Sequence, residues 1–293
     1  MPGKSAYRWS FIGCAALLLA GCVDPASEAR ETFAAELGAL EQEVGGTIGV
    51  YALDTGSGRE LAWRADERFS MASTFKALLA AAALAEVDAD RLGLDEPLEL
   101  AGVPLVTYSP VVEKYLESGS ITIAELCEAA VTLSDNTAAN LLLGRVGGPE
   151  GLTAFLRRHG DGVTRLDRWE PELNENAAGD ERDTTTPRAF AKSLERMLFT
   201  DVLSETSRRR LADWLVANKT GDGRLRAGLP DGWRVGDKTG TGANAAVNDV
   251  GVAWPPGRAP ILIAVYMSWS DAEVATLNAM HAEIAALVAE HFR

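Results

Sequence analysis

The stretch Ser73-Thr74-Phe75-Lys76-Ala77-Leu78-Leu79-Ala80-Ala81-Ala82-Ala83-Leu84 places a hydroxyl and an amine at the head of an alanine- and leucine-rich run. Such a run predicts a helix beginning at Ser73. Three residues apart on a helix, Ser73 and Lys76 share a face, with Cβ atoms about 5–6 Å apart and side chains within hydrogen-bond reach. A serine hydroxyl is a weak nucleophile until a neighbour takes its proton. For Lys76 to be neutral near pH 7 its pKa must fall by about three pH units from the ordinary lysine value, roughly 4 kcal/mol of environmental bias. Burial and a second nearby cation both push that way.

Outward from this helix the pattern divides. On the N-terminal side Phe33, Leu37, Leu40 and Val44 recur at helical spacing, and residues 48–53 and 60–63 read as strands joined by Asp54-Thr55-Gly56-Ser57-Gly58. From Ser73 to about Val216 the periodicity is helical, with a capped helix at Thr122, another after Asn136, and Thr186-Pro187 opening a further one. Strand signals resume at 233–237, 250–254 and 261–267, with Pro255-Pro256-Gly257 as a turn, before a final helix carrying Val274, Leu277, Ile284 and Leu287. The expected fold is α+β: an antiparallel sheet drawn from both chain ends, flanked by helices, with a helical lobe inserted and a cleft between the two.

Three more motifs follow the first in chain order: Ser134-Asp135-Asn136, Glu170-Pro171-Glu172-Leu173-Asn174 and Lys238-Thr239-Gly240, separated by about 60, 35 and 65 residues. A lone Ser-x-x-Lys is expected about once by chance in a chain of this length, but four motifs in one order are not. Ser134 suits proton relay to a departing amine, and the Asn136 amide suits a substrate carbonyl or Lys76; Ser, Asp and Asn are also plain helix caps. Lys238-Thr239-Gly240 follows a strand, where glycine allows close ligand approach and a lysine with a hydroxyl can bind a carboxylate; a solvated edge lysine is the simpler reading. Glu170 is a carboxylate able to activate water, with Asn174 sharing that water.

Together the four motifs resemble those of the class A serine β-lactamases, over the chain from about Phe33 to its C-terminus. The resemblance implies the two-lobed β-lactamase-like fold and hydrolysis of a β-lactam amide through an acyl-enzyme on Ser73, with Lys76, Ser134 and Glu170 catalytic. It places the oxyanion hole at the amides of Ser73 and Thr241, and substrate contacts at Asn136, Asn174, Lys238, Thr239, Gly240 and Thr241. It pairs Arg168 with Asp183 to close an Ω-loop over 165–183, a 19-residue aperiodic segment. Tyr108 matches an aromatic that walls the cleft mouth; a core tyrosine is the competing reading. Two positions depart from the common pattern. Val247 stands where many members carry an arginine for the substrate carboxylate, so Arg224, matching the alternative arginine of other members, takes that role here. Ala72 and Gly242 stand where class A carbapenemases carry a disulfide.

The N-terminus reads as a targeting segment: Lys4 and Arg8, an apolar stretch from Phe11 to Ala20, then Leu19-Ala20-Gly21-Cys22, which looks like a bacterial lipoprotein cleavage box. The box implies cleavage before Cys22, acylation of its thiol and a membrane anchor; an ordinary secretory signal cut nearby is the alternative, and both export the protein to the periplasm or its membrane. Residues 1–21 are then the signal, 22–64 with 216–293 the α/β lobe, and 65–215 the all-helical lobe. Of the cysteines Cys14, Cys22 and Cys127, only Cys127 stays in the folded domain, on an apolar helix where a buried inert thiol is expected. His159, His281 and His291 lie far from the serine motifs and lack metal-ligand spacing, which removes Ser-His-Asp and zinc chemistry. No metal or cofactor is expected. Loss of Lys4 and Arg8 takes the formal charge from −14 to −16, two positive charges fewer, a poor match for nucleic acid. A monomer acting on a small-molecule β-lactam is expected. Two alternatives remain: a DD-peptidase of the same fold, and a β-lactam-sensing lipoprotein that stays acylated.

Overall fold

The computed structural model describes residues 25–293, together with Met1 and Gly3; the leader and Cys22 lie outside the described residues. Helix α1 (Pro25–Val44) leads into strands β1 (Thr47–Asp54) and β2 (Glu60–Trp63), and the chain returns to the same sheet with β3 (Arg234–Thr241), β4 (Val247–Trp254) and β5 (Ile261–Ser268). The strand order is β2-β1-β5-β4-β3, antiparallel throughout, with β1 and β5 paired from Thr47↔Ser268 to Asp54↔Ile261. The two chain ends therefore meet at the sheet's centre.

Between β2 and β3 lie helices α2 (Phe75–Asp88), α3 (Ile123–Thr132), α4 (Asn136–Arg145), α5 (Gly148–Arg158), α6 (Pro187–Phe199) and α7 (Glu205–Val216); α8 (Val274–His291) closes the chain. Caps set their starts. Thr122 and Glu125 form a reciprocal capping box on α3, and Thr186 caps α6 ahead of Pro187. Residues Phe75 to Leu84 of α2 are all buried, so the alanine-leucine run makes a central helix packed on every side.

Both faces of the sheet are covered, and alternate residues divide between them. Val50, Ala52, Ile263 and Val265 pack with α1 and α8, whereas Tyr51, Leu53, Leu262, Ala264 and Tyr266 join the large core around α2. The sheet's inner face and the inserted helices thus share one core, and the cleft opens along the β3 edge of that packing.

Three expectations are corrected. Lys238-Thr239-Gly240 lies within β3, because eight residues pair continuously with β4 up to Thr241↔Val247. Ser73 sits in a one-turn 3-10 helix, Ala72–Thr74, that feeds α2 at Phe75. The insertion is not all-helical: Phe69–Ser70 pairs with Thr184–Thr185, and Pro97–Glu99 with Ser120–Thr122. The first of these pairs joins the C-terminal end of the Ω-loop region to the segment leading into the nucleophile turn.

Candidate active site

The nucleophile turn is held open at a cost. Ala72 has φ 43°, a left-handed conformation that a side chain disfavours, and the carbonyl of Met71 is capped by the Thr74 backbone N–H and hydroxyl. Asn248 of β4 donates its side-chain amide to the carbonyls of Ser70 and Met71 at 2.9 and 3.2 Å. Gly240 makes the approach of β3 possible, since a Cβ there would lie 2.6 Å from the Met71 carbonyl oxygen and 3.2 Å from the Ser73 nitrogen.

Lys76 Nζ donates to Ser73 Oγ at 3.0 Å, to the Ser134 carbonyl at 2.8 Å and to Asn136 Oδ1 at 2.6 Å, and lies 2.9 Å from Glu170 Oε1. Burial lowers its pKa, and the attraction of Glu170 and Asp135 opposes that without reversing it. Ser73 Oγ also lies 3.4 Å from Glu170 Oε1. Both titratable neighbours are therefore within reach of one hydroxyl.

The Ser134-Asp135-Asn136 motif divides its labour. Asp135 is the helix cap, accepting from Ala138 N, and its second oxygen takes the amides of Val111 and Val112. Ser134, at φ 59°, and Asn136 are left to face the pocket. Lys238 Nζ donates to Ser134 Oγ at 3.1 Å and to the Thr239 carbonyl at 2.8 Å, fully buried rather than a solvated edge lysine. Burial and the nearby Lys76 charge push its pKa well below the usual lysine value.

Glu170 is placed by the Ω-loop. Asn174 Nδ2 donates to Glu170 Oε2 at 2.5 Å, and the side chain of Asn140 on α4 clasps the Glu170 backbone in both directions, at 2.9 and 3.0 Å. Across the base of the loop, Asp183 Oδ2 accepts from Arg168 Nε at 2.5 Å, and its Oδ1 accepts the amides of Asp167 and Arg168. Arg165 and Arg182 instead pair with Asp167 and Asp180, at the surface.

A cavity of about 320 Å³ opens onto this group, lined by Ser73, Tyr108, Ser134, Asn136, Asn174, Thr220, Arg224, Thr239 and Thr241. Tyr108 is 57% exposed, at φ 64°, and is not a core tyrosine. Arg224 is only 6% exposed: Nε donates to Asn278 Oδ1, Nη1 to the carbonyls of Gly240 and Asn248, and Nη2 to Thr241 Oγ1 at 2.8 Å. Five donors serve four contacts among the described residues, which leaves one N–H uncommitted. Val247 is buried in the core under α8, on the far side of the sheet. Ala72 Cβ lies 3.5 Å from where a Cβ on Gly242 would stand, so these two positions do adjoin.

Several supports escaped sequence reasoning. Asn140 falls four residues after Asn136, on the same helix face, and that spacing was the available signal. Thr220, Asn278, Asp237 and Asp249 had none. Asp237 of β3 and Asp249 of β4, both fully buried, each retain one carboxylate oxygen with no partner among the described residues. Burial, then the charge of Asp237, raises the Asp249 pKa well above the usual carboxylate range. Cys127 is buried with its thiol pushed up to about 12, an inert core residue.

Comparison with known proteins accounts for this constellation. The model of the β-lactamase enzyme family matches residues 32–292. β-Lactamase FAR-1 of Nocardia farcinica is 47% identical, over 97% of both chains, and the carbapenem-hydrolyzing β-lactamase KPC of Klebsiella oxytoca is 49% identical over 89% of this chain and 86% of its own. The solved structure of the ancestral (GNCA) class A β-lactamase superposes with a TM-score of 0.86 at 59% identity, covering 88% of this chain and 99% of that one. The chain belongs to the β-lactamase enzyme family as a class A serine β-lactamase, a hydrolase that confers resistance by opening β-lactams.

Proposed function

We propose that Ser73 attacks the β-lactam carbonyl, with its proton leaving to the Lys76–Glu170 pair, 3.0 and 3.4 Å away. The amides of Ser73 and Thr241 serve as the oxyanion hole. Ser134, linked to both Lys76 and Lys238, returns a proton to the departing ring nitrogen. Asn136 holds the acylamide side chain's carbonyl, Tyr108 walls the mouth, and Lys238, Thr239, Gly240, Thr241 and Arg224 form the carboxylate end.

Deacylation carries the assignment of hydrolase over peptidase or sensor. One observation supports it: Glu170 reaches the nucleophile with one oxygen and holds Asn174 with the other, while Asn174 Oδ1 is a buried acceptor without a partner among the described residues. A water between the two side chains satisfies that acceptor and meets a base. Glu170→Gln keeps the shape and removes the base. Deacylation of a penicillin should slow by about 10²–10⁴-fold, and a penicilloyl adduct on Ser73 should accumulate in the intact mass. Wild-type turnover without an adduct moves the base elsewhere.

We read the exported form as a lipoprotein anchored through Cys22, a reading supported by the Leu19-Ala20-Gly21-Cys22 box. The two lobes keep the boundaries given above. The mass of the mature N-terminus checks the anchor: a soluble species beginning downstream of Cys22 overturns it.

A further inference from the structure

The wall of the pocket opposite Ser134 contains a hydrogen-bond chain whose direction is fixed by its far end. Asn218, buried between α7 and β3, donates Nδ2 to Asp237 Oδ1 at 3.0 Å. A carboxylate only accepts, so the amide cannot be turned over, and its oxygen must face the other way. Asn218 Oδ1 receives both the backbone N–H of Thr220, at 3.1 Å, and the Thr220 hydroxyl, at 2.9 Å. The single proton of the Thr220 hydroxyl is thereby committed. Thr220 Oγ1 and Thr239 Oγ1 are 2.5 Å apart, and one of them has to donate. With the Thr220 proton spent on Asn218, the donor is Thr239.

The chain therefore runs Thr239 to Thr220 to Asn218 to Asp237, and it is anchored firmly. Arg226 donates to the same Asp237 oxygen at 2.9 and 2.6 Å, and Gly221 lies so close to Asp237 that a Cβ would stand 1.7 Å from Oδ2. Its functional end is unexpected. In the free enzyme the Thr239 hydroxyl presents lone pairs to the cavity, where a substrate carboxylate needs a proton.

Reversal is available at the loss of one bond. If the Thr220 hydroxyl rotates to donate onto Thr239 Oγ1, Asn218 Oδ1 keeps the Thr220 backbone N–H, and the Thr239 proton swings to the carboxylate. No proton changes owner; two hydroxyls rotate. We propose that Thr220 is a positioning residue that turns the Thr239 hydroxyl away from the pocket in the free enzyme, and that a substrate carboxylate reverses the chain. The proposal rests on the reading of Thr239 as a carboxylate donor. It makes Thr220 a brake on recognition of the carboxylate, worth about one neutral hydrogen bond, or two- to tenfold in affinity.

The test compares a penicillin with its methyl ester, which lacks the anionic oxygen, and reads the ratio of their kcat/KM values in the full-length enzyme. Thr220→Val removes the acceptor and frees the Thr239 proton, so the acid-to-ester ratio should rise about two- to tenfold. Thr220→Ser, which retains both bonds, should restore the wild-type ratio, and the penicilloate product should inhibit Thr220→Val more tightly by the same factor. Thr239→Val should lower the ratio, and adding Thr220→Val to it should then change nothing. Thermal melting establishes that each variant is folded; Thr220→Ala, which keeps the N–H to Asn218, stands in if the valine does not fit. A ratio that falls or stays put in folded Thr220→Val or Thr220→Ala, with Thr239→Val still harmful, overturns the chain alone. An unchanged ratio in Thr239→Val removes the donor reading of Thr239 and the proposal with it.

Discussion

Two irregular segments bring charged side chains to one pocket, and they are fastened in opposite ways. The Ω-loop, 165–183, delivers Glu170 and is closed by its own residues, Arg168 against Asp183, with further pairs such as Arg182–Asp180 at the rim. The segment 218–226 delivers Thr220 and Arg224 and is fastened from beneath by strand residues: Asp237 takes Asn218 and Arg226, and Asp249 takes the amide of Leu225. The first is clipped by ion pairs among its own residues, with Asn140 of α4 holding Glu170 from outside. The second is a buried network drawn from β3, β4 and α8, and it concentrates unpartnered polar atoms and shifted titrations.

This contrast predicts where acid acts. His281 on α8 is fully buried behind Arg224, and burial, reinforced by the Arg224 charge, lowers its pKa to about 3. The unfolded chain takes up this proton near pH 6.5 and the native state refuses it until about pH 3, so stability falls as pH drops through that window. The loss at the bottom is on the order of 4–5 kcal/mol. Urea melts of wild type and His281→Leu from pH 7 to pH 4 should converge as the wild type weakens; parallel curves would place the acid-sensitive step elsewhere.

The next largest effect is expected in the clip. Asp183→Ala strips a buried carboxylate from Arg168 and from two amides, a loss of about 3–5 kcal/mol for a one-sided break. Glu170 should lose its place with the loop, so deacylation should slow more than acylation, visible in a burst followed by slow turnover. An even decline in both steps would mean that the loop does not hold the base. Arg224→Ala tests the other segment: kcat/KM for carboxylate-bearing substrates should fall about 10- to 150-fold, the size of a charge-assisted contact. Since Arg224 also ties Gly240, Asn248 and Thr241, part of that loss should appear with the ester as well.

The same contrast explains what could be read from the chain. Ser73 and Lys76 lie within one helical turn, so spacing alone brings them together, whereas the pairing of Arg168 with Asp183 across the loop was implied only by the family resemblance. The helix and strand order was legible because alternation and capping are local. The extent of β3 was not, because its polar Lys238-Thr239-Gly240 end reads as loop until β4 pairs with it. Asn218, Asp237, Asp249 and Asn278 come from four separate elements, and each is an ordinary polar residue until the fold closes. Their role is purely a product of burial.

The smallest predicted effect is the sharpest test of that network. Asp237 and Asp249 are both buried, each with one carboxylate oxygen unpartnered among the described residues. Asp237 accepts from Asn218 and Arg226, whereas Asp249 accepts from Leu225 N alone among the described residues, and burial, then the Asp237 charge, raises the Asp249 pKa well above the usual carboxylate range. An acid whose pKa is raised on folding stabilises the native state most at low pH, and that contribution is lost as pH rises above its unfolded value. Asp249→Asn supplies the same acceptor to Leu225 and a permanent donor towards Asp237, without the proton uptake. Its stability at pH 7 should equal or exceed that of wild type, within about 1 kcal/mol, and kcat/KM should stay within about threefold. Asp237→Asn offers Arg226 a neutral partner in place of a charge and should be the damaging member of the pair. If the two variants exchange ranks, Asp249 is not the carboxyl that burial raises, and the hydrogen-bond directions between that strand and the pocket have to be reassigned.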